Sequence, residues 1–91
     1  MGTKNTRLLA AVMFTDIVGY TAMMQDDEAK ANRQRDRHRE VLQERAAEFD
    51  GQILHYRGDG ALTIFSSAYH AVMCSIKIQN DLSEPLLPLR I

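Results

Sequence analysis

The sequence predicts one α+β domain of β-α-β-β-α-β order. Three observations predict it: an apolar run near the start that stops at Thr15-Asp16, a long charged amphipathic helix ending at Asp50-Gly51, and a glycine-flanked turn, Gly58-Asp59-Gly60, between two short strand-like runs. The 91 residues suffice for one domain or most of one. An apolar share of 45% and a charged share of 25% belong to a globular chain, which excludes a disordered tract or a collagen-like repeat. A formal net charge of -1 lacks the basic excess of a dedicated nucleic-acid binder. The apolar run Leu8 to Phe14 falls far short of the about 20 residues that span a bilayer, and no small-x-small cleavage site follows it, so no membrane contact is expected from this segment. The single Cys74 excludes an internal disulfide and suits a reducing compartment, the cytoplasm or the cytoplasmic part of a larger receptor.

Residues 1–6 are polar and are expected to be loose, with the domain occupying 7–91. Leu8 to Phe14 is continuously apolar, the pattern of a strand buried on both faces. A short helical turn follows from Tyr20 to Met24. Asp26-Asp27-Glu28 then sets negative charge against the N-terminal end of a helix that runs to about Phe49. Ala31, His38, Leu42, Arg45 and Phe49 form its inner stripe, widened by Val41 and Ala46, and Asp50-Gly51 reads as its stop. Gln52 to Arg57 and Ala61 to Phe65 are strands joined by a three-residue glycine turn. Ser66 or Ser67 caps a helix running to about Leu82, with Ala68, Ala71, Val72, Ile76 and Gln79 or Leu82 expected on its inner side. Pro85 and Pro88 bracket a loop, and Pro88-Leu89-Arg90-Ile91 reads as the beginning of a last strand. This order suggests a ferredoxin-like βαββαβ sandwich.

Two acidic residues occupy places that folding alone would not choose. Asp16 ends the first strand and Asp59 sits at the hairpin tip. Antiparallel pairing of the first strand with the hairpin would bring them together, and two carboxylates meeting there repel unless a cation lies between them. A hard divalent ion such as Mg2+ takes one or two carboxylates together with phosphate oxygens. Ile17-Val18-Gly19-Tyr20-Thr21 passes from strand into a helix start, where free backbone amides favour anions, and Gly19 lets a ligand approach the backbone. Each residue also has a structural reading, Asp16 as a cap and Gly58-Asp59-Gly60 as a tight turn. The remaining histidines and the cysteine read as structural: His38 packed or capped within its helix stripe, His70 at the surface, Cys74 an inert core thiol.

Phe14-Thr15-Asp16-Ile17-Val18-Gly19-Tyr20-Thr21, followed about forty positions later by Arg57-Gly58-Asp59-Gly60 and an apolar strand ending in Phe65, resembles the class III adenylate/guanylate cyclase catalytic domain. Arg37-His38-Arg39-Glu40, Phe49-Asp50-Gly51 and Leu87-Pro88-Leu89-Arg90-Ile91 fit the same pattern, so the resemblance runs from about Arg7 to Ile91 and covers the family's N-terminal half. It implies a two-metal reaction that turns ATP, or less readily GTP, into a 3′,5′-cyclic nucleotide and pyrophosphate for intracellular signalling. Asp16 and Asp59 would hold two Mg2+ or Mn2+ ions, the Ile17 backbone carbonyl would add a ligand, and the amides of Val18, Gly19, Tyr20 and Thr21 would cradle the phosphates. His55 stands where the family reads the purine, typically with lysine for adenine and glutamate for guanine, and histidine is neither. Neutral imidazole donates at one nitrogen and accepts at the other, so nucleotide preference stays open.

The family's second half carries a further base-reading residue and the asparagine and arginine that stabilise the transition state. The 91 residues alone are therefore expected to be inactive. Family domains work as head-to-tail dimers, so self-association is expected, with strand exchange at the edge of the last strand and with Leu86, Leu87, Leu89 and Ile91 exposed. A second reading is a cyclase-homology module that has lost catalysis and serves regulation or dimerisation. A diguanylate cyclase reading stands lower, because the Gly-Gly-acid-acid-Phe hairpin it needs is absent from the sequence.

Overall fold

A computed structural model of the chain describes residues 10–91. The expected loose segment 1–6, and Leu8 and Leu9 of the expected first strand, lie outside the described residues. The elements are β1 (Ala11–Ile17), α1 (Tyr20–Asp26), α2 (Glu28–Glu48), β2 (Gln52–Arg57), β3 (Gly60–Phe65), α3 (Ala68–Asp81) and β4 (Leu89–Arg90). The four strands form one antiparallel sheet in the order β2-β3-β1-β4, which is the expected α+β arrangement. The helices cover one face of it. Met13, Thr15 and Ile17 of β1 and Ala61, Thr63 and Phe65 of β3 point into that layer and meet Leu42, Cys74, Ile78, Leu82 and Leu87.

The helix ends follow local chemistry. The Asp27 carboxylate accepts from the Lys30 amide at 3.0 Å and caps α2, and Ser67 caps α3 through the His70 amide at 3.3 Å. At the other end of α2 the left-handed residue is Asp50 (φ 57), not the glycine after it. The Gly51 amide returns to the Ala46 carbonyl at 2.7 Å and that of Asp50 to Ala47 at 3.4 Å, closing a Schellman motif with aspartate in glycine's usual place. Gly51 is needed for space instead: a Cβ there would lie 2.5 Å from the Phe65 ring.

Several expectations are corrected. Strand β1 alternates instead of being buried on both faces, with Val12 55% and Phe14 65% exposed, because the helices cover only one side of an antiparallel sheet. Of the expected inner residues of α3, Ala71 and Leu82 pack inward, but Ala68, Val72, Ile76 and Gln79 are exposed and Cys74 and Ile78 take the buried positions between them. The hairpin loop is two residues, Gly58-Asp59, since Gly60 already pairs with Arg57; Gly58 has φ 53, as a II′ turn asks of its first position. Leu87 and Leu89 are buried, Leu87 held by its amide on the Leu82 carbonyl at 2.7 Å, and only Leu86 and Ile91 are exposed. His70 is half-buried against Phe49, ring centroids 6.1 Å apart, so it is not a surface residue.

The one-sided sheet makes a direct prediction. Phe65→Ala should cost about 3–5 kcal/mol of unfolding free energy, because it empties a fully packed site. Phe14→Ala, on the open face of the same sheet, should cost less than about 1 kcal/mol. Urea titrations of the two variants test this, and equal losses would mean that both faces are packed.

Candidate active site

The site lies where three strand ends meet. Asp16 pairs with Gly60 of β3 on one side and with Arg90 of β4 on the other. The Ile17 amide donates to the Asp59 carbonyl at 3.1 Å, so the hairpin tip is tied by its backbone to the end of β1. Close approach is enforced at Gly60, where a Cβ would stand 2.6 Å from the Thr15 carbonyl oxygen and 3.5 Å from Asp16 Oδ1. The two carboxyls consequently border one concave site. A hydrogen bond with Asp59 raises the Asp16 pKa above its ordinary value, burial and the Asp59 charge add to the rise, and Arg90 opposes it.

Beneath the pair, on the covered face, the Thr15 hydroxyl and His38 Nε2 are hydrogen-bonded at 2.8 Å, both side chains almost wholly buried. The expected packing of His38 is observed, but its partner Thr15 was not singled out from the sequence. Alternation along β1 puts Thr15 inward whenever Asp16 faces out, and that period-two signal could have found it.

Beyond Ile17 the chain turns through Gly19 (φ 75), the N-cap of α1, which carries no side-chain capping bond. Of the four expected amide donors, Val18 is committed within the fold, donating to the Pro88 carbonyl at 3.0 Å. Gly19, Tyr20 and Thr21 begin the helix. A concave site of about 410 Å³ opens over the sheet beside the carboxyls, lined by Phe14, Asp16, His55, Arg57, Asp59 and Arg90 among others. His55 is exposed and pairs with Leu62, which pairs with Phe14, so the three form one row on the open face. Cys74 is fully buried away from solvent, and burial pushes its thiol up to about 11, as expected of an inert core residue.

The donor set suits a hard divalent cation. Two neighbouring carboxyls are relieved by positive charge between them. Among the described residues no group of three or more His, Cys, Asp or Glu converges, so carbonyl, water or substrate oxygens must complete any such coordination. Mg2+ ordinarily uses one or two carboxylates with phosphates in this way.

Comparison with known proteins follows the same lines. No family model matches the chain. The fold is that of a bacterial light-regulated adenylyl cyclase (TM-score 0.77, 15% identity, 82% of this chain and 41% of that one) and of the guanylyl cyclase Cya2 (TM-score 0.74, 20% identity, 88% and 49%). An adenylate/guanylate cyclase/hydrolase from Silicibacter pomeroyi superposes with TM-score 0.66 at 30% identity over 85% of this chain and 48% of its own. The chain is a class III nucleotide cyclase domain segment. Among curated proteins this cyclase segment is 35% identical over 78 residues to "Putative adenylate cyclase 3" of Rhizobium meliloti (strain 1021). It is also 33% identical over 72 residues to the serine/threonine-protein kinase pkn2 of Myxococcus xanthus. The aligned parts are 85% and 78% of the segment but only 13% and 9% of these two relatives. No helix among the described residues is long and apolar enough to cross a membrane.

His38 gives the cyclase segment a pH dependence. Burial first, then the Arg39 charge, pushes its pKa down to about 4, against an opposing pull from Asp59. In the unfolded chain the ring titrates near about 6.5, so folding excludes a proton. The stability tied to neutral His38 is complete above about pH 6.5 and is lost as pH falls towards about 4, up to about 3 kcal/mol in all. Urea titrations at pH 7 and 4.5 should show that loss in the wild type and a flatter profile in His38→Gln. Equal pH sensitivity in both would assign the loss to other groups.

Proposed function

We propose that this segment supplies the metal and triphosphate part of a nucleotide cyclase site, which converts ATP, or less readily GTP, to a 3′,5′-cyclic nucleotide and pyrophosphate. The convergence of Asp16 and Asp59 on one concave site, with the Ile17 amide bonded to the Asp59 carbonyl, carries the reading. Two Mg2+ or Mn2+ ions, held by these carboxylates with the Ile17 backbone carbonyl as a further ligand, would lower the pKa of the ribose 3′-hydroxyl and neutralise the phosphates. The first-turn amides of Gly19, Tyr20 and Thr21 face the phosphate chain, helped by the absence of a side-chain cap on α1. The Val18 amide, occupied by Pro88, contributes by holding that turn against β4. His55, exposed in the same concave site, contacts the base edge through one donor and one acceptor nitrogen.

A second copy of the domain completes the site. The open sheet face, with Val12, Phe14 and Ile91 exposed, is the surface it would cover, and head-to-tail pairing brings in the groups that stabilise the transition state. The 91 residues alone are expected to bind metal and nucleotide without turnover, since losing even one such group costs about 10²–10³ in rate. An inactive regulatory or dimerisation module is the second reading. The match to a protein named as a kinase favours it, because the segment there forms 9% of a protein named for other chemistry.

Mn2+ binding followed by electron paramagnetic resonance, with and without a non-hydrolysable triphosphate, separates the two. Asp16→Asn and Asp59→Asn should each weaken Mn2+ binding at least tenfold while leaving the fold intact by circular dichroism. Wild-type-like affinity in both variants would leave the inactive module as the reading. Cyclic nucleotide production by the 91-residue chain would overturn the expectation that it is inactive alone.

A further inference from the structure

The concave site holds two guanidiniums as well as two carboxyls. Arg57 pairs with Gly60 across β2 and β3, Gly60 with Asp16 across β3 and β1, and Asp16 with Arg90 across β1 and β4. These four residues form one row across the sheet, and directly opposed residues share a face. That face is the open one, since their neighbours Tyr56, Ala61, Thr15, Ile17 and Leu89 all turn inward. Gly60 leaves a gap in the row that no side chain can fill, because a Cβ there meets the Thr15 carbonyl oxygen. Arg57 therefore flanks one side of a bare stretch of backbone, two strand spacings or about 10 Å from the Asp16 backbone.

Among the described residues no acidic side chain forms an ion pair with Arg57; the ion pairs there use Arg35 and Arg45. The Arg90 charge acts on Asp16. Two carboxylates and two guanidiniums balance in charge, so each divalent cation that the carboxylates took would leave the site more positive. Such a site selects a polyanion, and a planar guanidinium fork matches two phosphate oxygens at once.

We propose that Arg57 is a substrate-contacting residue that grips the phosphate chain of the ligand from the β2 side. The role rests on the triphosphate reading above, and it deepens that reading by assigning a cation from the hairpin to the phosphates and not to the base.

Calorimetric titration of the chain with inorganic tripolyphosphate in the presence of Mn2+, and separately with adenosine, tests it. Arg57→Gln should weaken tripolyphosphate binding by about tenfold to a hundredfold, the range for a charge-assisted hydrogen bond, and leave adenosine binding unchanged. Arg57→Lys should recover part of the affinity, since it keeps the charge and loses the fork. Tripolyphosphate affinity unchanged in Arg57→Gln overturns the proposal, as does a loss confined to adenosine, which would make Arg57 a base contact. Asp59→Asn is the separate control for the metal reading. If Asp59→Asn binds tripolyphosphate normally while Arg57→Gln does not, the arginine role stands and the metal reading falls; the reverse pattern does the opposite. No tripolyphosphate binding by the wild type overturns both.

Discussion

The antiparallel pairing of β1 with β3, in the register that sets Asp16 opposite Gly60, is the constraint on which the site depends. It joins positions far apart in the chain, and it does so with backbone hydrogen bonds whose geometry tolerates no half-measures. A slip of one residue would turn Asp16 into the core and Thr15 into solvent. Met13 and Ile17 oppose any such slip, since both would leave the layer that they share with Ala61 and Phe65. Gly60 adds a local condition, because only a residue without a side chain lets β3 come so close to Thr15.

The two faces of β1 divide the labour. On the covered side Thr15 is tied to His38 of the long helix, a buried polar contact in an otherwise apolar layer, and such a bond is costly to leave half-made. On the open side Asp16 meets Asp59 at some electrostatic cost. Strain of this kind, set on a rigid strand and a tight turn, is the usual mark of a site prepared for a charged ligand. The same alternation explains why the open face carries exposed aromatic and aliphatic side chains: half of every strand must point there, and the helices lie only on the other side.

Much of this was legible in the residues. The element order, the long helix and its cap at Asp27, and the convergence of Asp16 with Asp59 follow from periodicity and from antiparallel hairpin logic. Legibility failed where a choice between neighbouring residues was set by packing. The α3 stripe was partly misplaced because Cys74 and Ile78 compete with Val72 and Ile76 on hydrophobicity alone, and contact with β1 and β3 decides between them. Likewise Gly51 looks like a helix stop, yet its smallness serves the Phe65 ring while Asp50 makes the turn.

By itself the sequence determined the alternation of strand and helix, the turn positions and the acidic residues available at two strand ends, since these rest on local periodicity and backbone preference. Only the tertiary structure decided which side of the sheet stays open, that the Val18 amide is consumed by Pro88, and that Arg57 and Arg90 bracket the carboxyl pair. Those features arise from register between strands remote in the chain, and register is a property of the assembled sheet that no local run of residues contains.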